Sequence, residues 1–391
     1  MKKKLLSVLL VAALAVASVV GCGSTAAESS EAGASGEAAF KIGAIGPTTG
    51  GAALYGQAVM NGAQLAVDEI NAAGGINGYQ IEYKFEDDQH DAEKSVNAYN
   101  SLKDWGMQIL MGTTTTTPCI AVTDKTAQDG MFQITPSASS TDVIINDNVF
   151  QVCFTDPNQG TASAQYIAEN KLGTKIGIIY DSSDVYSSGI EATFVKEAEA
   201  QNLEVVAIEA FTADSKTDFS TQLQKCQSEG ADLLFLPFYY QEASIVLNQA
   251  NQMGYAPTFF GVDGMDGILS VENFDTTLAE GVMLLTPFAA DAKDDATQAF
   301  VEKYEAQFGE TPSQFAADAY DAIYIIKAVI EAQNLTPDMS VQDLGTAMAE
   351  GMTTISVDGL TGEAMTWSAD GAVSKAPKAM VIKDGAYAAM D

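Results

Sequence analysis

From Phe40 onward the chain repeats one theme: a short apolar run rich in β-branched residues, a turn, then a stretch with apolar residues at helical spacing. Residues 41–46 (KIGAIG) read as a buried strand, and 58–73 as a helix stopped by Gly74-Gly75. Residues 79–85 alternate Ile81, Tyr83 and Phe85 as a strand does. A helix at 92–103, a strand at 108–111, a helix at 120–128 and a strand at 131–134 continue the pattern. A second series opens at 175–180 (KIGIIY) and runs through helix 190–201, strand 203–209, helix 219–229, strand 232–236, helix 242–253 and strand 258–261. Such alternation predicts an α/β protein whose parallel sheets are covered on both faces by helices.

Both series begin with Lys-Ile-Gly, at 41–43 and 175–177, and each head is followed by a loop with a tyrosine, Tyr55 or Tyr186, and then a helix. Two similarly wound lobes are expected. Ligands of open α/β sheets sit beyond the carboxyl ends of the strands, so facing lobes would put these loops on opposite walls of one cleft. The stretch 292–331 is strongly helical and must pack on one lobe, while 363–382 holds strand-like pieces (EAMTW, KAMVI) that return to the other.

The head of the chain reads differently. Lys2, Lys3 and Lys4 precede an apolar run at 5–20, too short to span a membrane comfortably, that ends Val19-Val20-Gly21-Cys22. This predicts a signal peptide at 1–21, lipidation of Cys22 at a bacterial lipobox, and a Gly/Ser/Ala/Glu-rich flexible tether at 22–39. An extracytoplasmic body, lipid-anchored to the cell membrane, follows.

Charge and residue usage remove whole classes of function. The 391 residues carry 52 Asp+Glu against 19 cations, all lysine, for a formal net charge of −33. A surface this acidic repels nucleic-acid backbones. Without arginine there is no bidentate clamp for a carboxylate or phosphate. One histidine, His90, supports neither a multi-histidine metal site nor a histidine-rich catalytic centre. Beyond Cys22 there remain Cys119, Cys153 and Cys226, which fit no zinc spacing and allow one internal disulfide or three buried thiols. No cofactor or metal is expected.

Several strings narrow the reading: Lys41-Ile42-Gly43; Gly50 and Tyr55-Gly56; Asn61 to Ala66 (NGAQLA); Glu69-Ile70-Asn71; Gly74 to Gly78 (GGING); Ile134 to Ala138 (ITPSA); Cys153 to Asp156 (CFTD) with Gln159-Gly160; and Ala317 to Ala322 (ADAYDA). In this order and spacing the chain resembles the leucine/isoleucine/valine-binding protein family, receptors of branched-chain amino-acid ABC importers, from about Phe40 to its end. The resemblance implies the type I periplasmic-binding fold: two doubly wound Rossmann-like lobes joined by a three-strand hinge. Matching crossovers fall near 155–158, 285–288 and 357–362. Lobe one then takes 40–156 and 287–358, and lobe two 157–286 and 359–391.

It also implies a pocket. Hydroxyls and free N–H groups where Thr113 to Thr117 enter a helix suit an anion, so Thr116, with Thr117 beside it, is expected to hold the ligand α-carboxylate. Ser137, Ala138 and Ser139 are expected to bind both the carboxylate and the amino group, and Asp263 to face the ammonium, with Asp266 as a substitute. Tyr55, Tyr186 and Tyr239 line the cleft, and Phe315 lines the side-chain pocket; Tyr240 and Phe238 are weaker candidates. Three departures stand out. Asp263 replaces the commoner Glu; Thr114 and Thr115 bring polarity that counts against a purely aliphatic ligand; and His90 occupies one place of a family disulfide, in a loop that the family keeps out of the cleft.

The function expected is a non-enzymatic, monomeric receptor. It captures an amino acid, branched-chain or similar, and delivers it to ABC permease subunits and their ATPases. Amides, urea and short-chain acids are alternative ligands, and a component presenting ligand to a sensor is an alternative role. A hydrolase is disfavoured: there is no Gly-x-Ser-x-Gly elbow, and His90 would be its only histidine base.

Overall fold

The computed structural model describes residues 38–390; the signal segment and Cys22 lie outside the described residues. Two sheets organise the body. The first is built from β1 (Ala39–Gly46), α1 (Ala53–Ala72), β2 (Gln80–Asp87), α2 (Ala92–Trp105), β3 (Ile109–Gly112), α3 (Thr116–Asp129), β4 (Phe132–Thr135) and β5 (Val149–Gln151). The second follows as α4 (Asp156–Asn170), β6 (Lys175–Asp181), α5 (Val185–Ala200), β7 (Glu204–Phe211), α6 (Ser220–Glu229), β8 (Leu233–Leu236), α7 (Tyr240–Gln252), β9 (Thr258–Gly261) and β10 (Met283–Thr286). Then come α8 (Asp295–Phe308), α9 (Gln314–Gln333), α10 (Val341–Met352), β11 (Lys378–Lys383) and β12 (Ala386–Ala389).

The sheets are wound alike. The first has order β2-β1-β3-β4-β5, all parallel. The second contains the same order, β7-β6-β8-β9-β10, also parallel, and β11 and β12 extend it antiparallel beyond β10. Strands β3, β4 and β8 are buried at every position, as strands covered on both faces must be. In this winding the crevice opens where the strand order reverses. In each sheet, the loops leaving the first, third and fourth strands in sequence border that reversal.

Helix pairs close over each sheet through glycine. A Cβ on Gly62 in α1 would lie 2.1 Å from the Ala316 carbonyl oxygen of α9, and one on Gly160 in α4 would lie 2.6 Å from the Ile190 oxygen of α5. Only the missing side chain lets these backbones approach so closely. In this way the helices after β10 return to the first sheet, through α1·α9 and α10·β4 contacts, and β11 and β12 join the second.

The chain therefore passes between the sheets three times, at places other than strands for two of them. Thr155 is the N-cap of α4, so 156–158 is already helical, and 357–362 carries only a single bridge, Val357 to Met365. The expected strand in the EAMTW stretch is likewise one bridge, Trp367 to Val373. Its apolar residues dock one at a time: Trp367 is buried and its Nε1 donates to the Gln151 carbonyl at 2.8 Å. A buried ion cluster ties the third passage down. Lys375 Nζ lies 2.8 Å from Asp318 and donates to Thr361 Oγ1, which donates to Asp321; the Lys375 and Asp318 side chains are 1% and 2% exposed. The three described cysteines are buried free thiols.

Candidate functional site

Six loops at the carboxyl ends of β1, β3, β4, β6, β8 and β9 converge between the sheets. From the first sheet come Tyr55, Thr114, Thr115, Thr116 and Ser137; from the second come Tyr186, Tyr239, Asp263 and Gly264; Phe315 enters from α9. These ten residues enclose about 10 Å³, room for about one water molecule. The cleft is closed.

Aromatic rings interlock across it. Tyr55 packs on Phe315 (centroids 4.3 Å apart), on Tyr240 (4.8 Å) and on Tyr239 (5.4 Å), and Tyr239 stacks on Tyr186 at 5.0 Å. Their hydroxyls join the walls: Tyr55 donates to the Gly264 carbonyl and accepts from Tyr240 N, while Tyr240 OH accepts from Leu54 N at 3.2 Å. Buried tyrosines of this kind combine an apolar wall with a polar tip.

Asp263 is held from three sides. Tyr186 OH donates to its Oδ1 at 2.5 Å, its N–H donates to Gln159 Oε1 at 3.2 Å, and its carbonyl accepts from Gln314 Nε2 at 2.7 Å. Burial pushes its carboxyl up to about 7 despite these bonds. Opposite, α3 begins at Thr116, four residues earlier than the sequence pattern predicts, because threonine and proline carry no helical period. Thr115 is its N-cap in extended conformation, so the N–H groups of Thr116 and Thr117 belong to the unsatisfied first turn. Ser137 Oγ donates to the Thr114 carbonyl at 2.6 Å, locking the two first-sheet turns together.

Of the residues expected from the sequence, Tyr55, Thr116, Ser137, Tyr186, Tyr239, Asp263 and Phe315 meet at this one cavity. Thr117, Ala138 and Ser139 stand behind it. Thr117 faces a neighbouring opening and bonds Asp184 at 3.4 Å; Ala138 packs in a small apolar cluster with Cys119 and Val143; Ser139 is fully buried beside Asp156, whose N–H donates to its carbonyl. Asp266 is no substitute for Asp263. Its Oδ2 accepts from Gln314 N at 3.0 Å, and it lines a separate cavity of about 450 Å³ with Tyr387. Phe238 packs away from the cleft against Phe211 and Phe219.

Two residues outside the expected set belong here. His90 was expected away from the cleft, yet its Nδ1 lies 2.9 Å from Thr115 Oγ1 and its ring meets the edge of Tyr239. The β2–α2 loop folds inward because Asp88, itself buried, accepts the His90 N–H and turns the chain. Asp156, 2% exposed on the first turn of α4, has no hydrogen-bond partner at either carboxylate oxygen, and burial and the neighbouring Asp263 and Asp184 push it well above its ordinary range. The Thr155-Asp156-Pro157 string was a readable helix-start signal; the orphaned carboxylate was not readable.

A cleft between two similarly wound parallel sheets, with a helix N-terminus on one side and buried carboxylates on the other, defines a class of binding protein. The model of the periplasmic binding protein family matches residues 39–386, and the chain belongs to that family. Within it the likeness is to the leucine/isoleucine/valine-binding group. The chain is 30% identical over 301 residues to Leu/Ile/Val-binding protein homolog 3 of Brucella melitensis, covering 76% of this chain and 80% of that one. It is 28% identical over 294 residues to the leucine-, isoleucine-, valine-, threonine-, and alanine-binding protein of Pseudomonas aeruginosa, covering 75% and 78%. The branched-chain amino acid transporter substrate binding protein LivJ of Streptococcus pneumoniae, solved in complex with isoleucine, superposes with a TM-score of 0.81 at 29% identity, over 90% of this chain and 98% of that one. These relatives are solute-binding proteins, not enzymes.

Proposed function

We propose that this chain is the lipid-anchored receptor of an ABC importer and that it captures a free branched-chain amino acid between its two lobes for delivery to the permease. The observation that carries the reading is the opposition of charges in one closed cavity: first-turn N–H groups of α3 on one wall, Asp263 on the other. That pairing suits a carboxylate and an ammonium on a single small molecule. Asp156 adds a second unpaired carboxylate behind that wall, close enough to Asp263 to feel its charge, in a neighbouring opening.

The polarity of Thr114 and Thr115 loses its force as an objection to an aliphatic side chain. Thr114 Oγ1 is 3.4 Å from the Ile45 carbonyl and Thr115 Oγ1 is taken by His90, so both hydroxyls are already engaged. The remaining neighbours are Tyr55 and Phe315, an apolar surround for a branched alkyl group. Lobe one (40–156 and 287–358) and lobe two (157–286 and 359–391) would part to admit the ligand, since the closed space is far too small for it. Cys22 would tether the body, as a monomer, at the outer face of the membrane.

The test is a thermal-shift screen of the soluble body against the standard amino acids, followed by calorimetry. Leucine, isoleucine or valine at a hundredfold excess over Kd is expected to stabilise by about 2.7 kcal/mol. If none of the standard amino acids raises the melting temperature at millimolar concentration, the ligand class is wrong.

A further inference from the structure

The loop between β2 and α2 is built around a strained backbone. Gln89 and His90 are successive non-glycine residues in the left-handed region, with φ of 53° and 58°. Such a pair persists only where its surroundings over-determine it. Here Asp87 Oδ1 accepts the Gln89 N–H at 3.0 Å, Asp88 Oδ1 accepts the His90 N–H at 2.9 Å, and Lys94 Nζ donates to Gln89 Oε1 at 2.6 Å. The result of the strain is a single placement, that of the His90 ring.

That ring, carried by the first sheet, is anchored on its own wall and reaches across to the other. Nδ1 meets Thr115 Oγ1 at 2.9 Å, at the end of β3 in the first sheet. The ring plane stands at 85° to Tyr239, centroids 5.5 Å apart, at the end of β8 in the second sheet. Tyr239 stacks on Tyr186, and Tyr186 donates to Asp263. One imidazole is thus connected to the N-cap of α3 on one wall and, through two rings, to the carboxylate on the other.

We infer that His90 is a positioning residue that latches the closed cleft, so that it sets how long a bound ligand stays rather than how fast it enters. The inference rests on the amino-acid-binding reading above. A contact between groups on different sheets exists only when the walls meet, so losing it eases reopening and leaves diffusion into the open cleft unchanged. The latch works as a neutral ring. Burial and the nearby Lys216 push His90 down to about 4, against the opposing pull of Asp181 and Asp91. The other charged groups around the adjoining opening are Lys94 on α2, Asp184 before α5 and Glu242 on α7. Protonation converts the ring from a donor–acceptor pair into a double donor and places a cation beside Lys216.

Stopped-flow binding of leucine by the soluble body tests this. His90→Ala is expected to raise koff about tenfold with kon within twofold of wild type. His90→Phe, which keeps a ring against Tyr239, and His90→Gln, which keeps a polar partner for Thr115, are expected to lie between, and both serve if the alanine variant folds poorly. Protonation of Asp263 raises koff in every variant as pH falls through about 7, and below about 5 wild-type koff should climb more steeply than that of His90→Phe. Equal koff in wild type and His90→Ala, or in wild type and both conservative variants, overturns the latch. Asp263→Asn in the same assay separates the causes. If it loses leucine while the His90 variants match wild type, only the latch is wrong. If wild type itself binds none of leucine, isoleucine and valine, the ligand reading and the latch fall together.

Discussion

Two groups of buried carboxylates sit a short way apart, and they are treated in opposite ways. Where the chain makes its third passage between the sheets, Asp318 pairs with Lys375, and Asp321 accepts from Thr361 Oγ1, which Lys375 also contacts, and from the backbone N–H groups of Leu360 and Thr361. Around the cleft, the buried Asp156 and Asp263 and the half-buried Asp184 have no lysine within ion-pair distance among the described residues, and Asp156 lacks even a hydrogen bond. Burying a charge without a partner is costly, so such a carboxyl holds a proton until a cation is brought to it. The paired cluster is therefore architecture. In the proposed reading the unpaired one is an address for the ligand's cation.

Removing Lys375 should have the largest effect, because it turns the first cluster into a second copy of the other without any ligand to serve. Lys375→Met is expected to cost about 3–5 kcal/mol in urea unfolding of the unliganded body. A loss below about 1 kcal/mol would mean that Asp318 and Asp321 are not held by charge at all.

Asp263→Asn should invert that outcome. It keeps the shape, removes the cost of a buried carboxylate that no lysine pairs, and so leaves unliganded stability equal or higher. Leucine affinity is expected to fall by about two decades, on the order of 2.7 kcal/mol, while 4-methylpentanoate, which lacks the amino group, is not penalised. Calorimetry with both ligands decides it. Binding of leucine within a few-fold of wild type would shift the ammonium to Asp156.

The smallest effect expected is in the pH dependence of stability. Asp263 sits at about 7 in the folded chain, above the ordinary value near 4, so between those values the folded state keeps a proton that the unfolded state has released. Its contribution to stability is whole below about pH 4 and is lost as the pH rises through about 7. Asp184, held at about 6, acts in the same direction. The unliganded body should melt higher at pH 5.5 than at pH 7.5, and Asp263→Asn should flatten part of that slope. A variant with the wild-type slope would show that Asp263 titrates normally.

The alternation of apolar runs and helical stretches made both sheets legible, since strands such as β3 and β8 are buried on both faces and must be apolar throughout. The paired heads KIGAI and KIGII likewise announced two equal windings. Seven cavity residues could be named because the family resemblance carries its pocket onto them; six follow the end of a strand, and Phe315 lies on α9. What stayed hidden depends on contacts between distant residues. No local signal brings His90 against Thr115, 25 positions away, or leaves Asp156 unpartnered. The segment around Met365 and Trp367 misled for the same reason: its apolar residues alternate like a strand, yet they dock individually on other elements.

One of those dockings has an optical consequence. The chain contains two tryptophans. Trp105 lies near the surface at the end of α2 with Lys41 Nζ 5.2 Å from its ring, remote from any passage between the sheets. Trp367 sits on the third passage and donates to the backbone just before the first, so its indole is shared between two of the segments that must flex when the walls part. For the proposed opening of the lobes, the protein thus carries an internal reference fluorophore and a reporter at the third passage, so that Trp367 emission tests opening without an attached dye.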